Sequence, residues 1–342
     1  MNLLEPWVLV RLVAGLVACA FFARGAITAQ KVLRHFDVSR ATEGQLALEK
    51  QLELAATFVR VAAVVQVLSL LLTVLGADRL SRGVRGAMCA YGVFGANENG
   101  FRSLGVTLFV AVAAGVLAQL FAFDARVRSM DLAKPLATIT LAMFPLALVD
   151  FVMAARFFGG LDLTVVASCC SVQLDPVAAS GETFATGPRV LATVVGLGGA
   201  VLAIGLAVLA ARSPSRTKVA LAAIGTLAAL PFAVAASVLE VAPHAFEAPH
   251  HVCPFCLLRA DVLAIGYPLF GALFVAAVYG LGPGLAAIFA RGEAVRDALG
   301  PFARHTLYRS AIAWGIAVLV AAAPVVRYAV VADGASLFAV LR

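Results

Sequence analysis

Long runs of Leu, Ala and Val, separated by short polar stretches, recur from one end of the sequence to the other. A helix needs roughly 20 apolar residues to cross the hydrocarbon core of a bilayer. The pattern supplies such runs near residues 8–27, 54–75, 104–123, 136–157, 190–211, 219–239, 262–281 and 311–331. They are continuous rather than alternating, which suits helices and not the strands of a transmembrane barrel. The expected fold is all-α, a polytopic integral membrane helical bundle of about eight transmembrane helices. No connection has room for a soluble domain, so residues 1–342 are expected to form a single transmembrane domain.

Composition agrees: hydrophobic residues make up 62% of the chain and charged residues 13%, too few to cover a soluble domain of this size. The net charge of +7 raises the question of a nucleic-acid partner. The basic residues are scattered over short connections without interleaved aromatics, which argues for membrane topology instead. Lys31, Arg34, Arg40 and Lys50, then Arg126, Arg128 and Lys134, then Arg212, Arg216 and Lys218, then Arg291, Arg296 and Arg304 fall in the first, third, fifth and seventh connections. The positive-inside rule makes those connections cytoplasmic and puts both termini outside. Arg79, Arg82, Arg85 and Arg102 in the second connection run against this orientation. The first segment lacks a basic start and stays apolar past any cleavage site, so it reads as a retained span. Leu16-Val17-Ala18-Cys19 has the look of a lipoprotein signal, but the apolar run continues through Phe22.

Eight spans put the second, fourth and sixth connections on one face. Those connections hold Cys89, the vicinal pair Cys169-Cys170, and Cys253 with Cys256 in His250-His251-Val252-Cys253-Pro254-Phe255-Cys256. His244 shares that face, while His35 and His305 lie opposite. The expected location is a bacterial cytoplasmic membrane with the cysteine-bearing loops extracytoplasmic. A lone cysteine such as Cys19 reads as a small hydrophobe, whereas a C-x-x-C beside histidines reads as functional.

Pro254 suits the first turn of a helix, so Cys253 is expected at a cap with helix continuing through Leu257, Leu258 and Arg259. Helix dipole and Arg259 would then make Cys253 the more acidic thiol. In one reading Cys253/Cys256 and Cys169/Cys170 are redox-active pairs. The loop 168–188, rich in Gly, Ser, Thr and Ala, would then carry electrons to a thiol partner protein. In a second reading thiolates of Cys169, Cys170, Cys253 and Cys256 with His250 or His251 hold copper, mercury or zinc, exchanged with a metal-carrier protein. Cys89 and His244 are accessory in either. In a third, the cysteines form static disulfides in a subunit of a membrane complex.

The stretch Cys253-Pro254-Phe255-Cys256-Leu257-Leu258-Arg259, running into Leu263-Ala264-Ile265-Gly266-Tyr267-Pro268-Leu269, resembles the C-x-x-C helix start of the DsbB family of membrane thiol oxidoreductases. The order of loop cysteines first and C-x-x-C later is similar to the vitamin K epoxide reductase family. The resemblance implies a quinone cofactor, with Cys253 and Cys256 as the quinone-proximal pair and Arg259 beside it. The vicinal pair also resembles that of mercury transport proteins. Arg60 and Gln66 fall inside the second span and Arg11, Asp150, Glu240 and Arg327 near span ends, where they could pair, snorkel or line a path. Gly280-Leu281-Gly282-Pro283-Gly284 is expected to end the seventh span sharply. The loops of Cys89 and of the C-x-x-C fall at corresponding places in the two halves, as a duplicated four-helix core would place them. No haem-attachment, P-loop or dinucleotide motif is present.

Overall fold

The computed structural model describes residues 5–37, 42–127, 129–162, 164, 166–167, 187–249 and 251–338. Among the described residues there is no strand, and eight helices are long and apolar enough to cross a membrane. They are α1 (Pro6–His35), α2 (Glu43–Leu80), α3 (Gly100–Asp124), α4 (Ala133–Gly159), α5 (Gly187–Arg212), α6 (Arg216–Ala236), α7 (Gly266–Phe289) and α8 (Glu293–Val331). The chain is an all-α, multi-pass membrane protein.

Local chemistry sets the helix starts. Glu5 caps α1 by accepting from Trp7 N at 2.7 Å, with Pro6 in the first turn where its missing N–H costs nothing. Thr42 accepts from Gln45 N at the head of α2, and Ser215 accepts from Lys218 N at the head of α6. The helices α2 and α8 have 38 and 39 residues, far more than the spans at 54–75 and 311–331. At 1.5 Å per residue each is roughly 57 Å long, against a hydrocarbon core of roughly 30 Å, so both continue beyond the apolar layer. Their extensions carry charge (Glu43, Glu49 and Glu53; Glu293, Arg296 and Asp297), which hides them from a search for apolar runs.

The expected sharp end of the seventh span is corrected by the structure: α7 continues through Pro283 to Phe289. Gly280 and Gly284 lie one turn apart and serve close packing instead. A Cβ on Gly280 would lie 2.7 Å from Thr226 Oγ1, and one on Gly284 would collide with the Cβ of Ala223 on α6. This is small-residue packing of the kind that lets membrane helices approach closely. Gly284→Leu is expected to force α6 and α7 apart and destabilise the protein by about 1–3 kcal/mol, read as a lowered Tm in detergent.

The chain divides into two compact units: Met1–Arg85, Val93–Ala167 and Leu285–Phe302 form one, and Gly86–Gly92, Ser168–Gly284 and Ala303–Arg342 the other. In the first, α1 packs on α2 and α4, and α3 on α2 and α4. These four helices enclose a charged network. Arg11 and Asp150 are both fully buried and form an ion pair at 2.9 Å. Arg11 Nε donates to Thr73 Oγ1 at 2.6 Å, Gln66 Nε2 donates to Asp150 at 2.8 Å, and Thr107 Oγ1 also donates to Asp150. The pair sits roughly 8–14 Å in from the helix ends, at 1.5 Å per residue, so neither group snorkels. Gly15 makes the site possible, since a Cβ there would lie 2.7 Å from Arg11 Nη1. Arg60 is used differently, donating to the carbonyl of Phe121 on α3 at 3.0 Å.

In the second unit α5 packs on α6, which runs into a π-helical turn, Ser237–Val241, and a short helix, Ala242–Phe246. Its core gathers Val241, Leu257, Leu269, Leu273, Ala276 and the fully buried Trp314. Glu240 accepts from Arg189 at 2.7 Å, and the exposed Arg327 pairs with Glu247 at 3.0 Å.

Candidate functional site

Cys89 lies in the loop that leaves α2, immediately before the short helix Ala90–Gly95. Gly86 takes the left-handed conformation (φ 76°) that turns this loop, and Gly92 N closes it onto the Cys89 carbonyl at 3.1 Å. Cys253 and Cys256 sit in the loop between Phe246 and α7. Glu247, Leu263 and Ala264, at the two ends of that loop, all have positive φ (52°, 56° and 52°), a conformation that side-chain-bearing residues adopt at a cost. Packing supplies the compensation: Leu257 is fully buried in the core, and Gly266 comes so close that a Cβ would lie 2.9 Å from the Leu257 backbone.

The predicted helix start at Cys253 is corrected here. Pro254 and Phe255 form a turn, Cys256–Leu258 is a single 3-10 turn, Arg259 is extended, and a second 3-10 turn covers Ala260–Val262. The α-helix begins only at Gly266. Burial of Leu257 bends the chain inward before a helix can propagate, so Cys253 has no helix dipole behind it.

The two loops bring three sulfurs together. Cys89 Sγ and Cys253 Sγ are 3.6 Å apart, a hydrogen-bond distance, and the Sγ atoms of Cys89, Cys253 and Cys256 all lie within 4.8 Å of one another. Their residues are 1%, 0% and 4% exposed. Tyr91, Phe246 and Phe255 pack around them. Hydrogen bonding with Cys253 and Cys256 holds the pKa of Cys89 well below the usual thiol range, against the opposing effect of burial. The Cys89 thiol therefore favours the thiolate form. His251 stacks on Phe246 with ring centroids 4.0 Å apart. Burial pushes its pKa down towards the neutral form, and its Nε2 is enclosed without a hydrogen-bond partner among the described residues.

No protein-family model, curated protein or solved structure matches this chain.

Of the residues singled out in the sequence, Cys253 and Cys256 are brought together, and Cys89 joins them as a full member. His244 is engaged elsewhere: its Nδ1 meets the Glu240 carbonyl at 2.7 Å, and its ring lies edge-on to Tyr328 and Phe338. Cys169, Cys170 and His250 lie outside the described residues. Cys19 is buried in α1 with its thiol on the Ala147 carbonyl at 3.3 Å, as a lone small hydrophobe would be. Arg259 reaches across from the C-x-x-C loop to donate to the Met88 carbonyl at 3.2 Å, and pairs with Asp261 at 3.0 Å. It therefore ties the two cysteine loops together. Arg259→Ala is expected to leave the fold intact, since both partners are exposed. It should raise the alkylation rate of Cys89 by loosening the loop that carries it, which timed labelling with a maleimide measures.

Proposed function

We propose that the second unit binds a soft metal ion on the thiolates of Cys89, Cys253 and Cys256 and exchanges it with a carrier protein at the membrane surface. The observation that carries this reading is the convergence of three buried sulfurs from segments 164 residues apart in the chain. An all-sulfur donor set in an aromatic enclosure favours Cu(I) or Hg(II), and a thiolate is the form that binds them. The lowered pKa of Cys89 supports one thiolate before any ion arrives. Met88, next to the site and 68% exposed, adds a thioether on the outer side, a soft ligand suited to receiving such an ion.

Purified protein, titrated with Cu(I) against a colorimetric chelator, should bind one equivalent per chain. Failure to compete for copper and for mercury would remove this reading. One observation favours an alternative: the 3.6 Å contact between Cys89 and Cys253 suits formation of a disulfide between them. In that case the protein is a thiol oxidoreductase passing two electrons per disulfide to a quinone or a partner protein. A Cys89–Cys253 disulfide whose population tracks added quinone would then be found in place of metal.

A further inference from the structure

A cleft of about 190 Å³ lies in the second unit, apart from the three sulfurs; it is floored by the apolar core and open on one side, where the exposed Leu197 and Val326 line it. Its wall includes Ala200, Val241, Leu269, Ala317 and Trp314. The other polar side chains on it are Thr193, Ser237 and Glu240, and each is engaged: Ser237 Oγ donates to the Ala233 carbonyl at 2.8 Å, Thr193 donates to Glu240 at 3.3 Å, and Glu240 also accepts from Arg189. Trp314 is different. It is fully buried, and its indole N–H meets no acceptor among the described residues. A buried indole N–H ordinarily has a partner, because an unpaired donor in an apolar surrounding is costly. The π-helical turn that carries Ser237 and Glu240 to this wall is of a kind that recurs at functional sites.

Size and chemistry together define what fits. An apolar cavity of roughly 150 Å³ takes up benzene, so this cleft has room for one substituted ring or a comparable length of acyl chain. The apolar wall requires a neutral occupant, and the single unmatched donor requires one acceptor on it. We propose that this cleft binds a neutral apolar molecule carrying a carbonyl-type oxygen that accepts a hydrogen bond from Trp314 Nε1. That chemistry belongs both to the ring of a membrane quinone and to the ester of an acyl lipid. The proposal uses none of the cysteines and stands independently of the metal reading.

The chain has two tryptophans, so Trp7→Phe leaves one indole signal in a 15N-tryptophan spectrum. Cyclohexanone and methylcyclohexane have nearly the same shape and differ in the acceptor. Cyclohexanone should move the Trp314 indole proton downfield in a saturable way, whereas methylcyclohexane should not. Ala317→Leu, or Ala200→Leu should the first fold poorly, takes up much of the cleft and should weaken cyclohexanone binding by about tenfold or more. Solvent extraction of the purified protein, with mass spectrometry, should recover a quinone or an acyl lipid enriched over the leucine variants, and which is recovered names the source. A Trp314 signal that ignores cyclohexanone, or answers both probes alike, would overturn the proposal, as would equal lipid content in wild type and variants.

Discussion

Arg11→Ala should destabilise the protein by about 3–5 kcal/mol, the range expected when one partner of a buried ion pair is removed and the other is left behind. The geometry explains the size. Asp150 is fully buried and accepts from Arg11, Thr107 and Gln66, so its carboxylate has no solvent to fall back on. Asp150→Ala should cost as much, because it strands the guanidinium instead. The double variant Arg11→Met with Asp150→Leu fills similar space without charge and should recover most of the loss. Thermal unfolding of the four proteins in one detergent gives the comparison. Single variants as stable as wild type would mean that the pair carries little of the first unit's stability.

The second large effect is on metal affinity. Structural zinc sites with four protein ligands bind with apparent free energies of roughly 10–16 kcal/mol, or about 2.5–4 kcal/mol per ligand. Losing one of three thiolates should therefore weaken Cu(I) binding by about two to three orders of magnitude. Cys89→Ser, Cys253→Ser and Cys256→Ser should behave alike, although Cys89 comes from a different loop and was only accessory on the sequence. Cys19→Ser should bind as wild type, since Cys19 contacts Ala147 in the first unit. A Cys89→Ser protein that binds copper normally would show that the three sulfurs do not act together.

The eight spans were legible because apolar runs of bilayer length have no other solvent. Their ends were less so. The amphipathic extensions of α2 and α8 look polar residue by residue, and Pro283 lies inside α7, where a proline with nearby glycines reads as a stop. At the site, span parity put Cys89, Cys253 and Cys256 on one face, which is as far as sequence spacing reaches. Their convergence depends on Gly86 turning one loop and Leu257 anchoring the other. The same anchor removed the helix start at Cys253, a tertiary effect overriding the local signal of Pro254. Arg11 and Asp150 were visible as charges in apolar runs, but their pairing spans 139 residues and needed the packed helices to be seen.

X-ray absorption on the protein loaded with one equivalent of Cu(I) tests the central claim most directly. Three sulfur neighbours at about 2.3 Å in the wild type, with one fewer sulfur in Cys89→Ser, is the predicted result. Copper bound only through nitrogen or oxygen, or a spectrum unchanged by Cys89→Ser, would contradict it.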